Sequence, residues 1–178
     1  APAWVGYSCY VWNVERNLAV LRQLRKTSDA PAIFGGPEIS PESAKTLLQS
    51  DGPDYCVIGE GEKKLARLIQ SLMNGAVPCP DALKGIAHLP DGEFAYFEEP
   101  EPITPLDEVP SPYLSGAIPP ELYRRGHAFL ETQRGCRHRC RYCVYHKNLK
   151  SISYYSLERV CEELDHLVID SRVMALRI

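Results

Sequence analysis

Three cysteines close together in one short loop constrain this chain more than any other feature of its sequence. Cys136, Cys140 and Cys143 follow one another with the spacing C-x3-C-x2-C. Three thiolates on one loop can bind three irons of a [4Fe-4S] cluster, and the fourth iron is then left without a protein ligand. An open iron can bind and reduce another molecule, whereas a cluster held by four cysteines mainly carries electrons. The spacing therefore predicts a cluster site with one open iron.

The segments around these cysteines predict a strand, a loop, a helix and a second strand. Residues 127–133 read as a strand, and Gly135 lets the chain turn directly before the first cysteine. Ser156 is a good N-cap for a helix whose apolar residues recur at helical spacing. These apolar residues are Leu157, Val160, Cys161, Leu164, Leu167 and Val168. Residues 172–178 read as the second strand, so the cysteines follow the carboxyl end of a strand, where α/β folds place their chemistry.

The amino-terminal part of the chain alternates strand and helix patterns, which favours a parallel sheet covered by helices. Strands are expected at residues 4–10, 32–34 and 54–58, and Ser40 followed by Pro41 is a typical helix start. Because the carboxyl ends of parallel strands share one edge of a sheet, the loops after the three strands should meet there. Their glycines would let the backbone approach a ligand closely. No G-x-G-x-x-G fingerprint is present, which argues against a dinucleotide.

Both halves of the chain contain short sequence motifs that resemble those of a known family. The cysteine spacing, with Tyr142 directly before the third cysteine, resembles the signature of the radical S-adenosylmethionine (SAM) superfamily. Gly-Tyr-Ser-Cys-Tyr-Val-Trp-Asn at 6–13, Phe-Gly-Gly-Pro-Glu at 34–38 and Val-Ile-Gly-Glu-Gly-Glu at 57–62 resemble the cobalamin-binding domain of B12-dependent radical SAM enzymes. Residues 110–113 resemble the run before the barrel in these enzymes. The resemblance covers nearly the whole chain, and it implies a fragment of a larger protein.

The fold class that follows from this resemblance is α/β in three segments. Residues 1–78 are expected to form a partial Rossmann-like (flavodoxin-like) parallel sheet that binds cobalamin and lacks its amino-terminal part. Residues 79–126 are expected to form a proline-rich connector with a β-hairpin around Pro90, Asp91 and Gly92. Residues 127–178 are expected to form the first βα unit of a truncated radical SAM (β/α)6 partial barrel.

The resemblance implies three cofactors. Cys136, Cys140 and Cys143 would bind a [4Fe-4S] cluster, SAM would chelate its open iron with Tyr142 nearby, and cobalamin would bind at the sheet edge. The residues expected to contact cobalamin are Tyr10, Trp12, Asn13, Gly35, Gly36, Pro37, Glu38, Gly59, Glu60 and Gly61. The Asp-x-His-x-x-Gly motif that ligates cobalt in many B12 domains is absent, so no histidine is assigned to the metal. No residue is assigned as catalytic.

The function implied is transfer of a methyl group, through cobalamin, to an unactivated carbon of a small-molecule or peptide substrate. A second enzymatic interpretation keeps cobalamin and replaces methylation by a rearrangement or a cyclisation. A third interpretation is a nonenzymatic iron–sulfur module for electron transfer. The first segment could also be a degenerate sheet domain that serves only as a scaffold.

Other uses of the cysteines remain open alternatives. His138 and His146 lie close enough in sequence for a zinc site of three cysteines and one histidine, although zinc modules usually draw their ligands as two separated pairs. Seven cysteines, an odd number, without a secretory segment argue against a disulfide framework. Cys9, Cys56 and Cys161 lie in apolar patterns and are expected to be small buried side chains or bystanders.

The net charge and the hydropathy of the chain limit the classes of partner that it is expected to bind. The net charge of −3 argues against nucleic acid, and no stretch approaches the apolar length of a membrane span. A reducing cytoplasm is the expected location, since exposed cluster thiolates survive there. Arg134, Arg137, Arg139 and Arg141 bracket the cysteines. One of them could pair with the SAM carboxylate, or they could form a solvated basic surface that docks an acidic flavodoxin- or ferredoxin-type electron donor.

Overall fold

The computed structural model describes residues 2–74, 78–98, 103–124, 126–138, 140–143 and 151–178. The chain forms two compact units, which divide between Glu101 and Pro102. Among the helices described, none combines the length and the apolar character needed to cross a membrane.

The first unit is built on a five-stranded sheet with the strand order β1-β2-β3-β4-β5. Strands β1 (Val5–Ser8), β2 (Ala32–Gly35) and β3 (Tyr55–Val57) are parallel. Strands β4 (Ile86–His88) and β5 (Ala95–Tyr96) continue the sheet in antiparallel pairing. The predicted α/β class is therefore confirmed, with a sheet that is mixed and not wholly parallel.

Three helices connect and cover the parallel strands: α1 (Val14–Leu24), α2 (Pro41–Leu48) and α3 (Glu62–Met73). The predicted start of α2 is confirmed, because the Ser40 side chain accepts a hydrogen bond from the backbone N–H of Ser43 and Pro41 is the first helical residue.

Successive residues of β2 and β3 point to opposite faces of the sheet, which produces two apolar cores. Phe34 and Cys56 pack with α1 and α2 on one face, and Ile33 and Val57 pack with Leu68 of α3 on the other. The central strands are buried on both faces, as is usual for parallel strands. The loops after β1, β2 and β3 therefore share one edge of the sheet, as the sequence predicts.

The predicted hairpin exists, and it belongs to the sheet. Residues Pro90–Gly92 form the turn between β4 and β5, with Asp91 at a φ of 51°. Tyr55 of β3 pairs with His88 of β4, so the hairpin extends the sheet. The sequence placed this hairpin in a connector after residue 78, whereas the first compact unit of the structure includes it.

The second unit contains the predicted strand–helix–strand arrangement. Strand β6 (His127–Phe129) is parallel to the strand Ala175–Arg177, and helix α4 (Leu157–Asp165) lies between them in sequence. The N-cap prediction is confirmed, since the Ser156 side chain accepts a hydrogen bond from the Arg159 N–H at 3.2 Å.

The prediction of one continuous strand at residues 127–133 is wrong. After β6 the chain changes partner, and β7 (Gln133–Arg134) pairs in antiparallel fashion with β8 (Ser153–Tyr154). The strand Ala175–Arg177 is therefore β9 in chain order. The strand breaks because residues 127–129 pair with β9 whereas residues 133–134 pair with β8. No residue pattern in the sequence reveals this change of partner.

The apolar pattern predicted for α4 is only partly buried. Leu167 is fully buried and packs with Tyr113, Tyr123 and Ala128. Leu157, Cys161 and Val168 are exposed in contrast to the helical pattern, whereas Glu163 is buried. The hydrogen bonding changes at the end of the helix, where His166–Asp170 adopt π-helical geometry, so Val168 no longer follows the α-helical spacing that the pattern assumes.

Candidate functional site

The loop between β1 and α1 is held by two asparagine side chains. The Asn13 side-chain oxygen accepts a hydrogen bond from the Tyr10 N–H at 2.7 Å, and its amide nitrogen donates to the Ser8 carbonyl at 3.0 Å. Asn17 donates to the same carbonyl at 3.0 Å, and its amide nitrogen lies 3.6 Å from the Cys9 sulfur. The turn that carries Tyr10 to Asn13 is therefore fixed by side chains of the helix that follows it.

The loop after β2 packs directly against the loop after β1. Gly36 has a φ of +117°, and a Cβ atom there would lie 2.6 Å from the Cys9 carbonyl oxygen and 2.9 Å from its nitrogen. The Glu38 N–H donates to the Cys9 carbonyl at 3.2 Å. Only glycine permits this approach, because any side chain would overlap the backbone of the neighbouring loop.

The loop after β3 is supported by a buried lysine. Lys64 is 8% exposed, and its ammonium group donates to the Ile58 carbonyl at 2.7 Å. The Ile58 N–H donates to the Gly85 carbonyl at 3.0 Å. Gly85 has a φ of +74°, and a Cβ atom there would lie 2.4 Å from Cε of Lys64. Lys64 thus occupies the space that Gly85 leaves open and fixes the beginning of the loop.

These three loops, residues 9–13, 36–40 and 58–61, are called the sheet-edge loops. Together with Gly35 at the end of β2 they contain the residues predicted to contact cobalamin, and their backbones lie at one edge of the sheet. Trp12 is 76% exposed, and its ring stacks on Tyr10 with ring centroids 4.6 Å apart. Trp12 therefore does not pack in the core, and the stacked pair presents a flat aromatic surface to solvent.

A cavity of about 820 Å³ lies at the opposite edge of the same sheet. Tyr55 at the start of β3 and His88 at the end of β4 line it, with their ring centroids 6.3 Å apart. Burial raises the pKa of Tyr55 and lowers the pKa of His88. None of the residues predicted to contact cobalamin lines this cavity, so cavity size alone does not identify the candidate site.

The three cysteines lie between β7 and β8, in the segment 135–152 that we call the cysteine loop. Gly135 opens the loop with a φ of +96°, and a Cβ atom there would lie 2.4 Å from the Ser151 carbonyl oxygen. This confirms that the turn before the first cysteine requires glycine. Cys136 is exposed and Cys140 and Cys143 are half-buried.

The structure places the three cysteines on one loop without gathering their sulfur atoms. Within the described ranges, no three His, Cys, Asp or Glu side chains come close enough to share a metal ion. The Cys143 N–H donates to the Cys140 carbonyl at 3.0 Å, and the His138 N–H lies 3.4 Å from the Cys136 sulfur. Its three thiols are nevertheless a donor set whose chemistry suits a [4Fe-4S] cluster.

The remaining predicted residues of this loop have distinct positions. Tyr142, predicted to lie near SAM, is 90% exposed. Arg137, His138 and Arg141 are also exposed. Arg139 and His146 lie outside the described residues, so the arginine set and the zinc alternative stay predictions.

Arg134 is committed to a partner that sequence reasoning did not identify. Its guanidinium donates to both carboxylate oxygens of Glu131, at 3.0 to 3.1 Å, and to the Tyr155 hydroxyl at 3.4 Å. An arginine whose donors are occupied by a carboxylate is a poor candidate for the SAM carboxylate. The strand alternation around Glu131 gave no signal for this pair, because Glu131 and Arg134 meet only after the strand breaks.

Two other supporting features, an asparagine pair beside α1 and a buried lysine on α3, had only weak signals in the sequence. Asn13 and Asn17 are four residues apart and so lie on one side of α1. Lys64 precedes the buried Leu68 by four residues, which places its stem on the apolar face of α3. A polar side chain on an apolar helical face was the available signal in both cases.

The cysteines outside the loop behave differently from the three inside it. Cys9 and Cys56 are fully buried, as predicted, and burial raises the pKa of Cys56 to about 12. Burial also raises the pKa of Cys9. These two groups are therefore neutral thiols rather than ligands or nucleophiles. Cys79 and Cys161 are exposed, the latter in contrast to its apolar pattern.

Sequence comparison finds relatives along most of the chain. It is 26% identical over 178 residues to the 2-(S-pantetheinyl)-carbapenam-3-carboxylate methyltransferase of Streptantibioticus cattleyicolor, covering 92% of this chain and 25% of that protein. It is 24% identical over 172 residues to the cobalamin-dependent radical SAM methyltransferase TokK of Streptomyces tokunonensis, with the same coverage of 92% and 25%. An uncharacterized methyltransferase of Pyrococcus horikoshii is 32% identical over 142 residues, which is 76% of this chain and 30% of that protein. No protein-family model matches the chain.

Comparison with solved structures shows the same fold. The radical SAM methyltransferase TsrM of Kitasatospora setae, solved with tryptophan substrate and the SAM analogue aza-SAM, superposes with a TM-score of 0.67 at 20% identity. That match covers 98% of this chain and 36% of TsrM. A second TsrM structure, with cobalamin and a [4Fe-4S] cluster bound, gives a TM-score of 0.67 at 22% identity and covers 96% and 36%.

The sequence relatives and the shared fold agree with the order of motifs along the chain. The chain spans about a quarter of the length of the first two curated relatives. It is thus similar in sequence to the cobalamin-dependent radical SAM methyltransferase TokK over about a quarter of the length of that protein, and it shares the fold of the matched part of TsrM.

Proposed function

We propose that the protein carrying this chain is a cobalamin-dependent radical SAM methyltransferase that methylates an unactivated carbon. The observation that carries the proposal is the three-cysteine loop, which follows the first strand of a parallel βα unit in a homologue of TokK. The sheet-edge loops supply the second element, because one of the TsrM structures that share the fold contains cobalamin as well as a [4Fe-4S] cluster.

The donor chemistry of the cysteine loop fits the cluster. We assign Cys136, Cys140 and Cys143 as ligands of three irons, with the fourth iron left for SAM. When bound, the cluster and SAM supply radical chemistry, and cobalamin supplies methyl transfer. The protein residues have the task of binding, orienting and shielding these groups.

The sheet-edge loops fit a large ligand that approaches backbone closely. We assign cobalamin to Tyr10, Trp12, Asn13, Gly35, Gly36, Pro37, Glu38, Gly59, Glu60 and Gly61. Gly36 and Gly59 have positive φ values that favour glycine, and the stacked rings of Tyr10 and Trp12 offer an apolar surface. Cofactor binding is favoured over a bare scaffold, since a scaffold does not require an exposed Trp12 or a buried Lys64 beneath a loop.

The exposed side chains of the cysteine loop suggest two further contacts. Tyr142 is assigned to SAM because it directly precedes Cys143 and its side chain is 90% exposed. Arg137 and Arg141 are exposed, which suits docking of an acidic flavodoxin- or ferredoxin-type electron donor. The substrate is proposed to be a small molecule, by analogy with the tryptophan bound to TsrM.

Electron paramagnetic resonance of the intact, anaerobically reconstituted and reduced protein tests this proposal, combined with methyl-labelled SAM and hydroxocobalamin. A [4Fe-4S]+ signal that changes when SAM is added, together with label recovered on cobalamin, is the expected result. Cleavage of SAM without label on cobalamin would instead favour a rearrangement or a cyclisation. A cluster signal that does not change when SAM is added would favour an electron-transfer module. Zinc bound in place of iron would overturn the proposal.

A further inference from the structure

We infer that Tyr155 joins two arginine–glutamate pairs into one network that positions the cysteine loop. The network, which we call the Tyr155 network, consists of Glu131, Arg134, Tyr155, Arg159 and Glu163. The inference rests on the proposed function, because it assigns these residues to the support of the cluster ligands.

The first pair lies at the root of the cysteine loop. Arg134, with a side chain 12% exposed, donates to Glu131 through two nitrogens, with the shortest contact at 3.0 Å. The Tyr155 hydroxyl donates to the same carboxylate at 3.3 Å and accepts from Arg134 at 3.4 Å. Cys136 is two residues after Arg134, so this pair lies directly beside the point where the loop leaves β7.

The second pair lies on helix α4. Arg159 donates to Glu163 at 2.7 Å, and their side chains are 14% and 8% exposed. Arg159 also donates to the Val109 carbonyl at 3.3 Å, and its guanidinium carbon lies 5.5 Å from the centre of the Tyr155 ring. A guanidinium over an aromatic face is an attractive contact, and Tyr155 therefore touches both pairs.

Backbone contacts fix Tyr155 at the other end of the loop. Arg134 pairs with Ser153, and Gln133 pairs with Tyr154, which closes the loop at its base. The Tyr155 N–H donates to the Thr132 carbonyl at 3.1 Å. The chain therefore enters and leaves the cysteine loop beside the same phenol, so that α4 and the loop root are held in one relative position.

A buried ion pair such as Arg159 and Glu163 fixes the relative positions of its two side chains more than it raises the free energy of unfolding. Burying charged groups costs desolvation energy, and the cost is recovered only in one well-formed arrangement. Supporting residues of metal sites act in this way, and their loss typically weakens metal binding by a factor of about 10 to 100. The Tyr155 network contains no cluster ligand, and we assign its members as positioning residues.

Neighbouring tyrosines offer a matched pair of variants. Tyr155→Leu removes both the hydroxyl and the ring, whereas Tyr155→Phe keeps the ring over Arg159 and removes only the hydroxyl. Tyr154, the preceding residue at the end of β8, is 61% exposed and provides the controls Tyr154→Leu and Tyr154→Phe. The experiment uses the intact protein, reconstituted anaerobically with iron and sulfide, and circular dichroism verifies that each variant is folded.

Two readouts are independent of catalysis: the rate at which a chelator removes the cluster iron, and the paramagnetic resonance spectrum of the reduced cluster. We expect Tyr155→Leu to lose iron about tenfold faster than the wild type and to show a shifted spectrum. Tyr155→Phe should lose iron about threefold faster, because one set of hydrogen bonds is removed. Both Tyr154 variants should match the wild type.

The outcomes separate the inference from the proposed function. A wild-type protein that binds no cluster contradicts the proposed function and the inference with it. If the wild type binds a cluster and Tyr155→Phe matches Tyr154→Phe in both readouts, the inference alone is overturned. Since the phenylalanine variant preserves the size of the side chain, misfolding of Tyr155→Leu does not rescue the inference from that result.

Discussion

The sheet-edge loops and the cysteine loop are both candidate cofactor sites, and they are built in opposite ways. The sheet-edge loops are held by contacts of the protein itself, through Asn13 and Asn17, the close approach of Gly36 to Cys9, and the ammonium group of Lys64. The cysteine loop is closed at its base by the pairing of β7 with β8, and within the described residues its three sulfurs do not converge.

This difference indicates which partner completes each site. A preformed loop edge loses little conformational entropy when a large ligand binds. Thiolates that must be brought together instead draw on the binding energy of the metal, since metal binding and local folding are coupled. We therefore expect cobalamin to bind to an edge that exists before it arrives, and the cluster to complete its own loop.

Removal of a cluster ligand should have the largest effect. Cys136→Ser, Cys140→Ser and Cys143→Ser should each keep less than about one-tenth of the wild-type iron, since loss of supporting contacts alone costs at least about tenfold. Iron analysis of anaerobically reconstituted protein measures this. Cys161→Ser, at an exposed position on α4, should retain the full iron content. Equal retention by all four variants would remove the three-cysteine assignment.

A methyl group at the base of the cysteine loop should have the next largest effect. Gly135→Ala should destabilise the second unit by roughly 3–4 kcal/mol, through a left-handed backbone and an overlap with the Ser151 carbonyl. Gly116→Ala is the matched control, because Gly116 has a φ of +72° and no atom within 4 Å of an added Cβ. It should cost only roughly 1–2 kcal/mol. Similar costs in chemical denaturation would show that the overlap is not important.

The same comparison can be made at the sheet edge, with a smaller expected effect. Gly36→Ala should cost roughly 2–3 kcal/mol, because its nearest overlap, with the Cys9 carbonyl, is at 2.6 Å. Gly92→Ala, at a φ of +83° with open space around it, is the control. Tryptophan fluorescence reports on this unit, since Trp4 and Trp12 are the tryptophans of the chain. Cobalamin affinity should fall with Gly36→Ala, and unchanged affinity would contradict the assignment of this edge.

The pH dependence of the first unit should give the smallest effect. Burial lowers the pKa of His88 below its ordinary value of 6.5, so the folded state favours the neutral ring. As the pH falls through 6.5, the unfolded chain binds a proton first and stability decreases, until the lower folded pKa is passed. His88→Gln should flatten this dependence in denaturation curves at pH 5 to 8. The variant His127→Gln, in the other unit, should leave it unchanged, and a flat wild-type curve would contradict the prediction.

Local chemistry made parts of the fold predictable. Ser40 and Pro41 specified the start of α2, the Pro90–Gly92 turn specified a hairpin, and Gly135 specified the bend before the cysteines. Each of these signals depends on one or two residues and their immediate neighbours. The sheet edge followed from the same logic, because parallel strands place their carboxyl ends together.

Features that depend on distant partners were not predictable. The break after β6 arises because Phe129 pairs with Arg177 whereas Arg134 pairs with Ser153. The Tyr155 network has the same origin, as its members meet only after that change of partner. The sequence also did not reveal that the hairpin belongs to the sheet, since the pairing of Tyr55 with His88 joins residues that are far apart in the chain.

Hydrogen–deuterium exchange of the cobalamin-free protein, with and without the cluster, tests the contrast between the two sites most directly. The account predicts that cluster loading slows exchange in residues 136–143 strongly, while residues 9–13 exchange slowly in both states. A cysteine loop already protected without iron, or sheet-edge loops that exchange rapidly in the cobalamin-free protein, would contradict this expectation.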